Sequence, residues 1–339
     1  MLLAIIIDHV AKEAEVSTAT VSRVLNNPEV VSDKTKEKVL KAIKKLNYSP
    51  NALARGLVTK KTHMIGVIVP DINNLFFPAI VRGIQDATAE RDYQAIFTNT
   101  DNDVEQEISS IKSFKENRVD AIIVLGSRSK DPKKSQHLVE LANDYHVVLV
   151  EDVIDDSNIY SVMHDETEGA YNAVKSLLEK GHRNIYHITV EPEFTTAEYK
   201  FRGYKKALNE YGISVDLKKI YHGTSYADSG IFVMNEILDS KKLPTAVFCG
   251  NDQIAIGAMT AIFSRGLRVP EDISIIGYSD IPIGKFVYPP LTTIGQDPQK
   301  TGRIAANIAI GLVTEDEGVQ QRTILHTDLI DRKSVASLL

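Results

Sequence analysis

The chain has 339 residues, more than one hydrophobic core comfortably supports, so we expect two or three compact units. Hydrophobic residues make up 43% and charged residues 25%, a composition that argues against long disordered stretches. The single cysteine, Cys249, excludes an internal disulfide and suits a reducing compartment.

The first residues, MLLAIIIDHV, are apolar but do not resemble a signal peptide or a membrane span. No basic residue precedes the apolar run, and Asp8 ends it well short of the roughly 20 apolar residues of a membrane helix. We therefore expect a cytoplasmic protein.

Charge is unevenly distributed around a net charge of −6. Residues 1–62 contain 11 Lys+Arg against 6 Asp+Glu, whereas the rest of the chain contains 28 against 39. A small basic head on an acidic body is typical of a modular nucleic-acid binder. Taken alone, a solvated charged helix surface explains the basic head equally simply.

Residues 8–48 predict three short helices. Ser17 or Thr18 can cap the second, Asn26-Asn27-Pro28 ends it, and Ser32-Asp33 begins the third, in which Glu37 precedes Lys41 by four residues. The apolar positions are Val10, Ala11 and Ala14 in the first helix, Val21, Val24 and Leu25 in the second, and Val39, Ile43 and Leu46 in the third.

The spacing of VAKEAEVSTATVSRVLNN predicts a helix, a tight turn and a helix that enters the major groove of DNA. Short polar side chains at the start of the second helix would allow a close approach to the bases. The expected DNA contacts are Thr18 and Ala19 at base edges, Thr20 and Ser22 at phosphates or bases, Arg23 at a guanine or the backbone, and Ser17 beside them at the start of the helix. Any three-helix bundle can show similar spacing.

The segment PNALARGLV, residues 50–58, is long enough for only two helical turns. Isolated helices shorter than about 12–15 residues are marginal in water, and Gly56 weakens this one further. We therefore expect a helix that forms only with a partner.

From Met64 onward, short runs rich in Val and Ile alternate with helical stretches. This alternation predicts an α/β body with parallel sheets, and the number of strands favours two doubly wound subdomains. The runs are MIGVIVPD, YQAIFTNT, DAIIVLGS, YHVVLVED, NIYHITV, TAVFCGN and DISIIGY, followed by a late strand and helix in LTTIGQDPQKTGRIAANIAIGL.

The runs ATVSRVLN and KLNYSPNALARGL, at this separation, resemble the head of the lac/galactose repressor family over residues 9–62. The resemblance implies that residues 50–62 form a hinge helix and linker, with two hinges pairing in the minor groove of the operator. It also implies that Leu57 is a wedge between base pairs, that Leu53 packs on the partner hinge, and that Asn51, Ala54 and Arg55 lie along the groove. Simple linker packing is the alternative for Leu57.

The chain departs from this family at its start. The family has a Thr helix cap and, two residues later, a Tyr that contacts phosphate, whereas Ile6 and Asp8 occupy those positions here. Ile has no capping oxygen, and a carboxylate near phosphate is unfavourable. These residues predict either weaker DNA binding than is usual in the family or an irregular start of the sequence.

The resemblance continues to about residue 333 through IGVIVPDINNLFFPAIVRGI, KGHRNIYHIT, FRGYKKAL, PTAVFCGNDQIAIGAM and RGLRVPEDISIIGYSDIPIGKFVYPPLTTIGQD. It implies a body of the periplasmic sugar-binding type, with an effector between two subdomains. We expect a DNA-binding domain at 1–49, the hinge at 50–62 and the effector-binding body at 63–333. The N-subdomain is expected at about 63–160 and 292–322, and the C-subdomain at about 161–291 and 323–333.

Several residues after strand ends suit a sugar, which presents an apolar ring face and a belt of hydroxyls. The expected effector contacts that follow strand ends are Asn74, Phe76, Phe77, Asn251, Ser279, Asp280 and Gln296. The family resemblance implies that Lys200 also lines the pocket. Ordinary core packing is the simpler explanation for Phe76 and Phe77, and helix capping is the simpler one for Asn251-Asp252, above all for Asp252.

INNLFF, GYSDIP and PPLTTI resemble the ribose-operon repressors of Gram-positive bacteria, so ribose is the favoured effector. The stretch KFRGYKKAL resembles the catabolite control branch, whose corepressor is a phosphorylated carrier protein. Lys200 stands in place of a forked Arg, and Ser279 in place of Asp, which leaves the ligand open. The sign of regulation, the operator and the controlled genes cannot be read from the sequence.

No GxGxxG, P-loop, HExxH or paired-cysteine motif is present, so we expect a DNA-binding regulator rather than an enzyme, without cofactor or metal. His182 and His187 are expected at the surface or in the core, Cys249 as a buried inert thiol, and EDVIDD as a solvated loop. No heptad repeat follows Ser334, which favours a homodimer over a tetramer. A sugar-binding protein without DNA function is the remaining rival, but its basic head would be idle.

Overall fold

The computed structural model describes residues 5–48, 61–155, 157–240 and 242–339. The chain divides into two compact units, a head of residues 1–62 and a body of residues 63–339. The hinge positions Asn51, Ala54, Arg55 and Leu57 lie outside the described residues, and so does Leu53.

The head contains the three expected helices, α1 (Ile7–Ala14), α2 (Thr18–Asn26) and α3 (Asp33–Leu46), and a short 3-10 turn at Pro28–Val30. Their apolar faces meet in one small core. The buried members are Val10, Ala11, Ala14, Val21, Val24, Val39 and Ala42, and Leu25, Ile43 and Leu46 pack partly buried against them. The helical periodicity of the sequence therefore located the core of the head correctly.

The two leading helices begin differently. Ser17 caps α2, because its Oγ accepts a hydrogen bond from the backbone N–H of Thr20 at 3.1 Å. Ile6 occupies the corresponding position before α1 and provides no side-chain cap. The backbone N–H of Ile6 instead donates to Nδ1 of His9 at 3.2 Å. The chain thus replaces only part of the cap that Ile6 lacks.

The first sheet of the body is made of β1 (Met64–Val69), β2 (Gln94–Asn99), β3 (Ala121–Leu125), β4 (His146–Val150), β5 (Tyr160–His164) and β11 (Arg322–Leu325). All its strands are parallel, and they lie in the order β11-β5-β4-β3-β1-β2. Helices α4 (Phe77–Ala89) and α11 (Pro298–Val313) pack on one face, and α5 (Val104–Glu116) and α6 (Gln136–Leu141) pack on the other.

The second sheet is made of β6 (Ile185–Val190), β7 (Ile220–Gly223), β8 (Ala246–Cys249), β9 (Ser274–Ser279), β10 (Thr292–Gly295) and β12 (Asp328–Ile330). These strands lie in the order β12-β10-β9-β8-β6-β7, and β10 and β12 are the one antiparallel pair among them. Helices α9 (Ala227–Leu238) and α10 (Asp252–Ser264) cover one face, and α7 (Glu166–Glu179) and α8 (Thr195–Glu210) cover the other.

Three short segments connect the two sheets, at residues 164–166, 295–298 and 325–328. The expected subdomain limits differ from this arrangement. The strand Thr292–Gly295, expected in the N-subdomain, pairs with β9 in the second sheet, and Arg322–Leu325 pairs with β5 in the first. Alternation of strands and helices predicts their number, whereas the sheet that a strand joins depends on long-range pairing.

Among the described residues, the helices include none that is both long enough and apolar enough to cross a membrane.

Candidate effector cleft and DNA-binding surface

The start of α2 forms an exposed polar edge on the head. Ser17, Thr18, Ala19 and Arg23 are exposed, whereas Thr20 and Ser22 are half-buried. The hydroxyl groups of Ser17 and Thr20 lie 2.9 Å apart and are hydrogen-bonded to each other. This edge therefore offers short side chains and one arginine to a partner, on a helix held from behind by Val21 and Val24.

The body contains a cleft of about 420 Å³ between the carboxyl ends of the strands of both sheets. Residues from the ends of β1, β3, β4, β6, β7, β8, β9 and β10 reach it. Seven of the eight expected effector contacts line it: Asn74, Phe76, Phe77, Lys200, Asn251, Ser279 and Gln296.

Phe76 and Phe77 form an aromatic wall on the side of the first sheet, with ring centroids 5.8 Å apart and an edge-to-face arrangement. Phe77 also belongs to the core beneath α4, so core packing explains it in part. The Oδ1 atom of Asn74 accepts from the backbone N–H of Phe76 at 3.2 Å and so fixes the loop that carries the wall.

Lys200 is a buried cation at the wall contributed by the second sheet. Its Nζ lies 3.3 Å from Oε1 of Glu166, donates to the carbonyl oxygen of Gly250 at 2.8 Å, and sits 4.2 Å from the ring centroid of Tyr278. Burial raises the pKa of Glu166, although Lys200 opposes this rise. Each charge therefore offsets the desolvation cost of burying the other, and neither residue would be stable as a lone buried charge.

Glu151 and His164 form a second buried pair at the cleft, with 2.8 Å between Oε1 and Nδ1. Burial alone would lower the pKa of His164, but the Glu151 carboxylate beside it raises that pKa above its usual value. Glu151 also adopts a left-handed backbone with φ of 69°. Strained backbone of this kind is often found at ligand sites.

The expectation that EDVIDD is a solvated loop is wrong for its first two residues. Glu151 lines the cleft, and Asp152 is fully buried. Asp152 accepts hydrogen bonds from the backbone N–H of Arg128 and from the hydroxyl group of Thr195, each at 2.5 Å. The acidic pattern resembles a surface loop, but the partners that bury it come from distant parts of the chain.

Asn251 lines the cleft as expected and also caps a helix, whereas the capping expected above all of Asp252 is not observed. Asn251 caps α10, because its Oδ1 accepts from the backbone N–H of Ile254 at 2.8 Å. Asp252 is buried and holds the loop after β9 through the backbone N–H of Ile281 at 2.8 Å and the hydroxyl of Thr293 at 2.5 Å. Burial raises the pKa of Asp252 to about 7.

Asp280 is the exception among the expected effector contacts. It does not line the cleft, and its carboxylate instead pairs with Nη2 of Arg332 at 2.5 Å and with Nζ of Lys285 at 3.8 Å. Ser279 and Asp280 both have positive φ, 110° and 54°, so the chain turns between them. That turn leaves Ser279 at the cleft and directs Asp280 towards Arg332.

Two sets of contacts join the sheets across the cleft. On one side the Tyr226 hydroxyl donates to the Asp71 carboxylate, and the backbone N–H of Leu75 donates to Oε1 of Gln253 at 3.1 Å. On the other side, residues 127–130 bond to residues 193–196, as in the 2.8 Å bond from the N–H of Lys130 to the carbonyl of Glu193. The cleft is therefore closed at both edges.

Sequence reasoning missed several residues that line the cleft. Thr189, Glu166, Glu191 and Tyr226 all lie there. Thr189 and Glu191 flank the end of the predicted strand NIYHITV, so the rule that ligands meet carboxyl ends could have found them. Tyr226 follows β7 and Glu166 follows β5, and neither strand was predicted.

The histidines and the cysteine outside the cleft have structural roles. His187 is buried against the Phe248 ring, 4.6 Å between centroids, and burial lowers its pKa to about 4. His182 is also buried and contacts Thr245 and the carbonyl of Ala336. Cys249 is buried, which raises its thiol pKa. In the described part of the chain, no three His, Cys, Asp or Glu side chains gather as metal ligands would.

Comparison with known proteins finds two matching families. Residues 6–51 match "Bacterial regulatory proteins, lacI family", and residues 174–335 match "Periplasmic binding protein-like domain". The transcriptional repressor PurR of Haemophilus influenzae strain PittEE is 39% identical over 338 residues, covering 98% of this chain and 99% of PurR.

Solved structures match as well. The lac repressor dimer bound to operator and the anti-inducer ONPF superposes with a TM-score of 0.90 at 29% identity, covering 98% of this chain and 100% of that one. A lacI-family regulator from Enterococcus faecium with bound ribose gives a TM-score of 0.72 at 28% identity, covering 81% and 100%. Two of these three proteins carry a small molecule, so the match extends to ligand-binding members.

Proposed function

The chain belongs to the lacI family of bacterial regulatory proteins, and we propose that it is a repressor of a sugar-utilisation operon whose DNA affinity is set by a ligand in the cleft. The observation that carries the proposal is the combination, in one chain, of an exposed polar edge on α2 and a polar cleft between two sheets.

We assign the DNA contacts to Ser17, Thr18, Ala19, Thr20, Ser22 and Arg23 in the major groove. Support comes from the exposure of Thr18, Ala19 and Arg23 and from the Ser17 cap, which fixes the leading turn. Asn51, Ala54, Arg55 and Leu57 are proposed to act in the minor groove, with Leu57 as the wedge. The missing cap at Ile6 and the exposed Asp8 are expected to reduce affinity for DNA.

We propose that the functional unit is a homodimer that reads two half-sites roughly one helical turn apart. Large exposed side chains on the second-sheet subdomain support an interface there. Phe286 is 80% exposed, Tyr288 is 88% exposed, and Phe232 on α9 is 73% exposed, while Val287 between the first two packs against the core beneath α9 and α10. Isolated apolar side chains are common at surfaces, whereas adjoining ones mark interaction sites. Phe286 and Tyr288 are two residues apart in one surface loop, and this pair supports the proposed interface.

We propose that the ligand is a sugar or sugar derivative, with ribose favoured. Phe76 and Phe77 can cover an apolar ring face, and Asn74, Asn251, Ser279 and Gln296 can bind hydroxyl groups. The bound ribose of the Enterococcus faecium relative supports the same class. PurR, which matches nearly the whole chain, is not named for ribose. A purine is therefore the second candidate class of ligand.

A catabolite-control function, answering to a phosphorylated carrier protein, is the alternative. It would need no small molecule in the cleft. The buried polar cleft therefore favours the sugar-responsive function.

The test is fluorescence anisotropy of the full chain on its own promoter fragment and on a scrambled duplex of equal length, with and without ribose. We expect selective binding that ribose changes by about 1–3 kcal/mol, the usual size of allosteric coupling. Selective binding unmoved by ribose would exclude ribose and retain the DNA function. Equal binding to both duplexes would contradict the repressor function itself.

A further inference from the structure

The side chains that line the cleft are strongly unbalanced in charge. Five carboxylates, Asp71, Glu151, Glu166, Glu191 and Glu193, face a single cation, Lys200. An acidic surface is by itself no argument for a ligand, so the bonding of each charged group decides what the cleft can accept.

Lys200 has no free hydrogen-bond donor to offer an anion. An ammonium group has three N–H donors. One is directed to the Gly250 carbonyl at 2.8 Å, a second to Glu166 at 3.3 Å, and the remaining side of the group faces the Tyr278 ring at 4.2 Å. Lys200, the one cation that the described residues place in the cleft lining, is therefore already neutralised.

The inner carboxylates are also paired. Glu166 is matched by Lys200, and Glu151 by His164 at 2.8 Å. A cationic ligand would therefore find no unpaired buried carboxylate. The unbalanced charge belongs to the more exposed residues. Glu193 pairs with Lys134 at 3.3 Å at the surface, where their side chains are 54% and 48% exposed, and Glu191 makes no ion pair among the described residues.

Uncharged polar atoms supply the remaining bonding capacity. The hydroxyl of Thr189 is 1% exposed and lacks a partner within the described part of the chain, as does the buried Nε2 of Gln296. Both residues line the cleft. Buried polar atoms are nearly always hydrogen-bonded, so these two indicate a ligand that brings hydrogen-bonding oxygen atoms to this part of the cleft.

We infer that the cleft selects an uncharged, hydroxyl-bearing ligand over its phosphorylated form, and that Glu191 and Glu193 exclude the phosphate. The inference rests on the proposed function, since it requires that the cleft binds an effector. A phosphate dianion in the cleft would approach these two carboxylates, and the nearby cations Lys200 and Lys134 are already paired with Glu166 and Glu193. The effector is therefore the free, unphosphorylated form of its compound, which is the substrate of any kinase that phosphorylates it.

The test compares matched pairs by titration calorimetry on the full chain: ribose with ribose 5-phosphate, glucose with glucose 6-phosphate, and adenosine with its 5′-monophosphate. The variant is Glu191→Gln/Glu193→Gln. The control is Glu271→Gln/Glu317→Gln, which removes two exposed carboxylates that do not line the cleft.

For any pair that binds, we expect the neutral member to bind at least about tenfold more tightly than its ester. In the Glu191→Gln/Glu193→Gln variant, the ratio of the two affinities, neutral compound over phosphate ester, is expected to fall roughly fivefold. In the control variant that ratio should not change. An ester that binds as tightly as its neutral partner overturns the inference, and so does a gap that the cleft variant does not change.

The anisotropy measurement of promoter binding distinguishes a failure of the charge inference from a failure of the proposed repressor function. If no pair binds while the chain still selects its promoter fragment, the charge inference is overturned and the DNA function stands. If operator selection is lost but the neutral preference holds, the inference stands and the proposed repressor function fails.

Discussion

The residues proposed to contact the major groove lie within seven positions, from Ser17 to Arg23 at the start of α2, whereas those lining the cleft come from at least eight strand ends between residues 70 and 296. Thr18, Ala19 and Arg23 are exposed and take no part in the core of the head. Lys200, Glu166 and the other inner cleft residues are buried and bonded to one another. In the head, Thr18, Ala19 and Arg23 are therefore available for binding without contributing to the core, and only Ser17, as the cap of α2, is proposed to serve both binding and stability. In the cleft, the buried side chains serve both.

The largest expected effect of this difference is at the buried ion pair. Lys200→Met removes the counter-charge of a buried carboxylate and is expected to lower the free energy of unfolding by about 3–5 kcal/mol. Urea unfolding of the full chain measures it. Lys205→Met, on the same helix but exposed, is the matched control and should have little effect.

The double variant Lys200→Met/Glu166→Gln sharpens this test, because it removes both charges. We expect it to be more stable than Lys200→Met alone. If Lys200→Met lowered the free energy of unfolding by less than about 1 kcal/mol, the buried pair would stabilise the fold no more than an exposed ion pair does. That result would contradict the claim that cleft side chains serve both binding and stability.

A slightly smaller effect is expected from His187 when the pH is lowered. Its folded-state pKa of about 4 lies below the unfolded value of 6.5, so the fold favours the neutral ring. The stabilisation is fully present above pH 6.5 and is lost as the pH falls towards 4, roughly 3 kcal/mol in all. The difference between the wild-type and His187→Phe stability curves isolates it from other titrating groups.

His164 provides the opposite case within the same body. Glu151 raises its folded-state pKa despite burial, so its contribution is fully present below pH 6.5 and is lost as the pH rises through the raised value. We therefore expect the difference curve for His164→Gln to slope in the opposite direction to that for His187→Phe. Parallel curves would mean that one of the two environments is misassigned.

In the head, Arg23→Ala is expected to change binding without changing stability. It should weaken binding to the promoter fragment by about 1–3 kcal/mol and relax base preference, because the side chain is exposed and can reach a base. Anisotropy on promoter and scrambled duplexes, beside a thermal unfolding curve, measures both properties. Lys34→Ala, exposed at the start of α3, is the control. A loss that is equal on both duplexes and only flattens the salt dependence would make Arg23 a phosphate contact.

The smallest effect is expected at the edge of the cleft. Tyr226→Phe removes the hydroxyl that joins the two sheets through Asp71 and should cost about 1 kcal/mol. Amide hydrogen exchange in residues 71–75 should accelerate, because this loop would lose one of its two contacts across the cleft. Tyr221→Phe, which keeps its stacking on Tyr186, should leave that exchange unchanged.

The sequence was sufficient for features that depend on neighbours along the chain. Helical spacing identified the core of the head, Ser17 as a cap, and the pairing of Glu37 with Lys41, whose charged groups lie 2.8 Å apart. Runs of Val and Ile located seven strands of the two sheets. Seven cleft residues were also found, because a family resemblance fixed positions that follow strand ends.

Features that depend on distant partners were not predictable in this way. Asp280 was expected in the cleft, but Arg332, fifty-two residues away, holds it elsewhere. Glu151 and Asp152 resemble a solvated loop until His164 and Thr195 are placed beside them. The short strands β7 and β12 have little apolar periodicity and gain their order from the sheets they extend.

The central claim is that occupancy of the cleft and DNA binding by the head are coupled. Coupling of two binding events is reciprocal, so a ligand that changes operator affinity must have its own affinity changed by the same factor when operator is present. The most direct measurement is calorimetric titration of ribose, or of another neutral compound found to bind, into the chain with and without saturating promoter duplex. The account predicts a shift in ligand affinity equal to the shift in operator affinity seen by anisotropy. Identical ligand affinity in both titrations would contradict it.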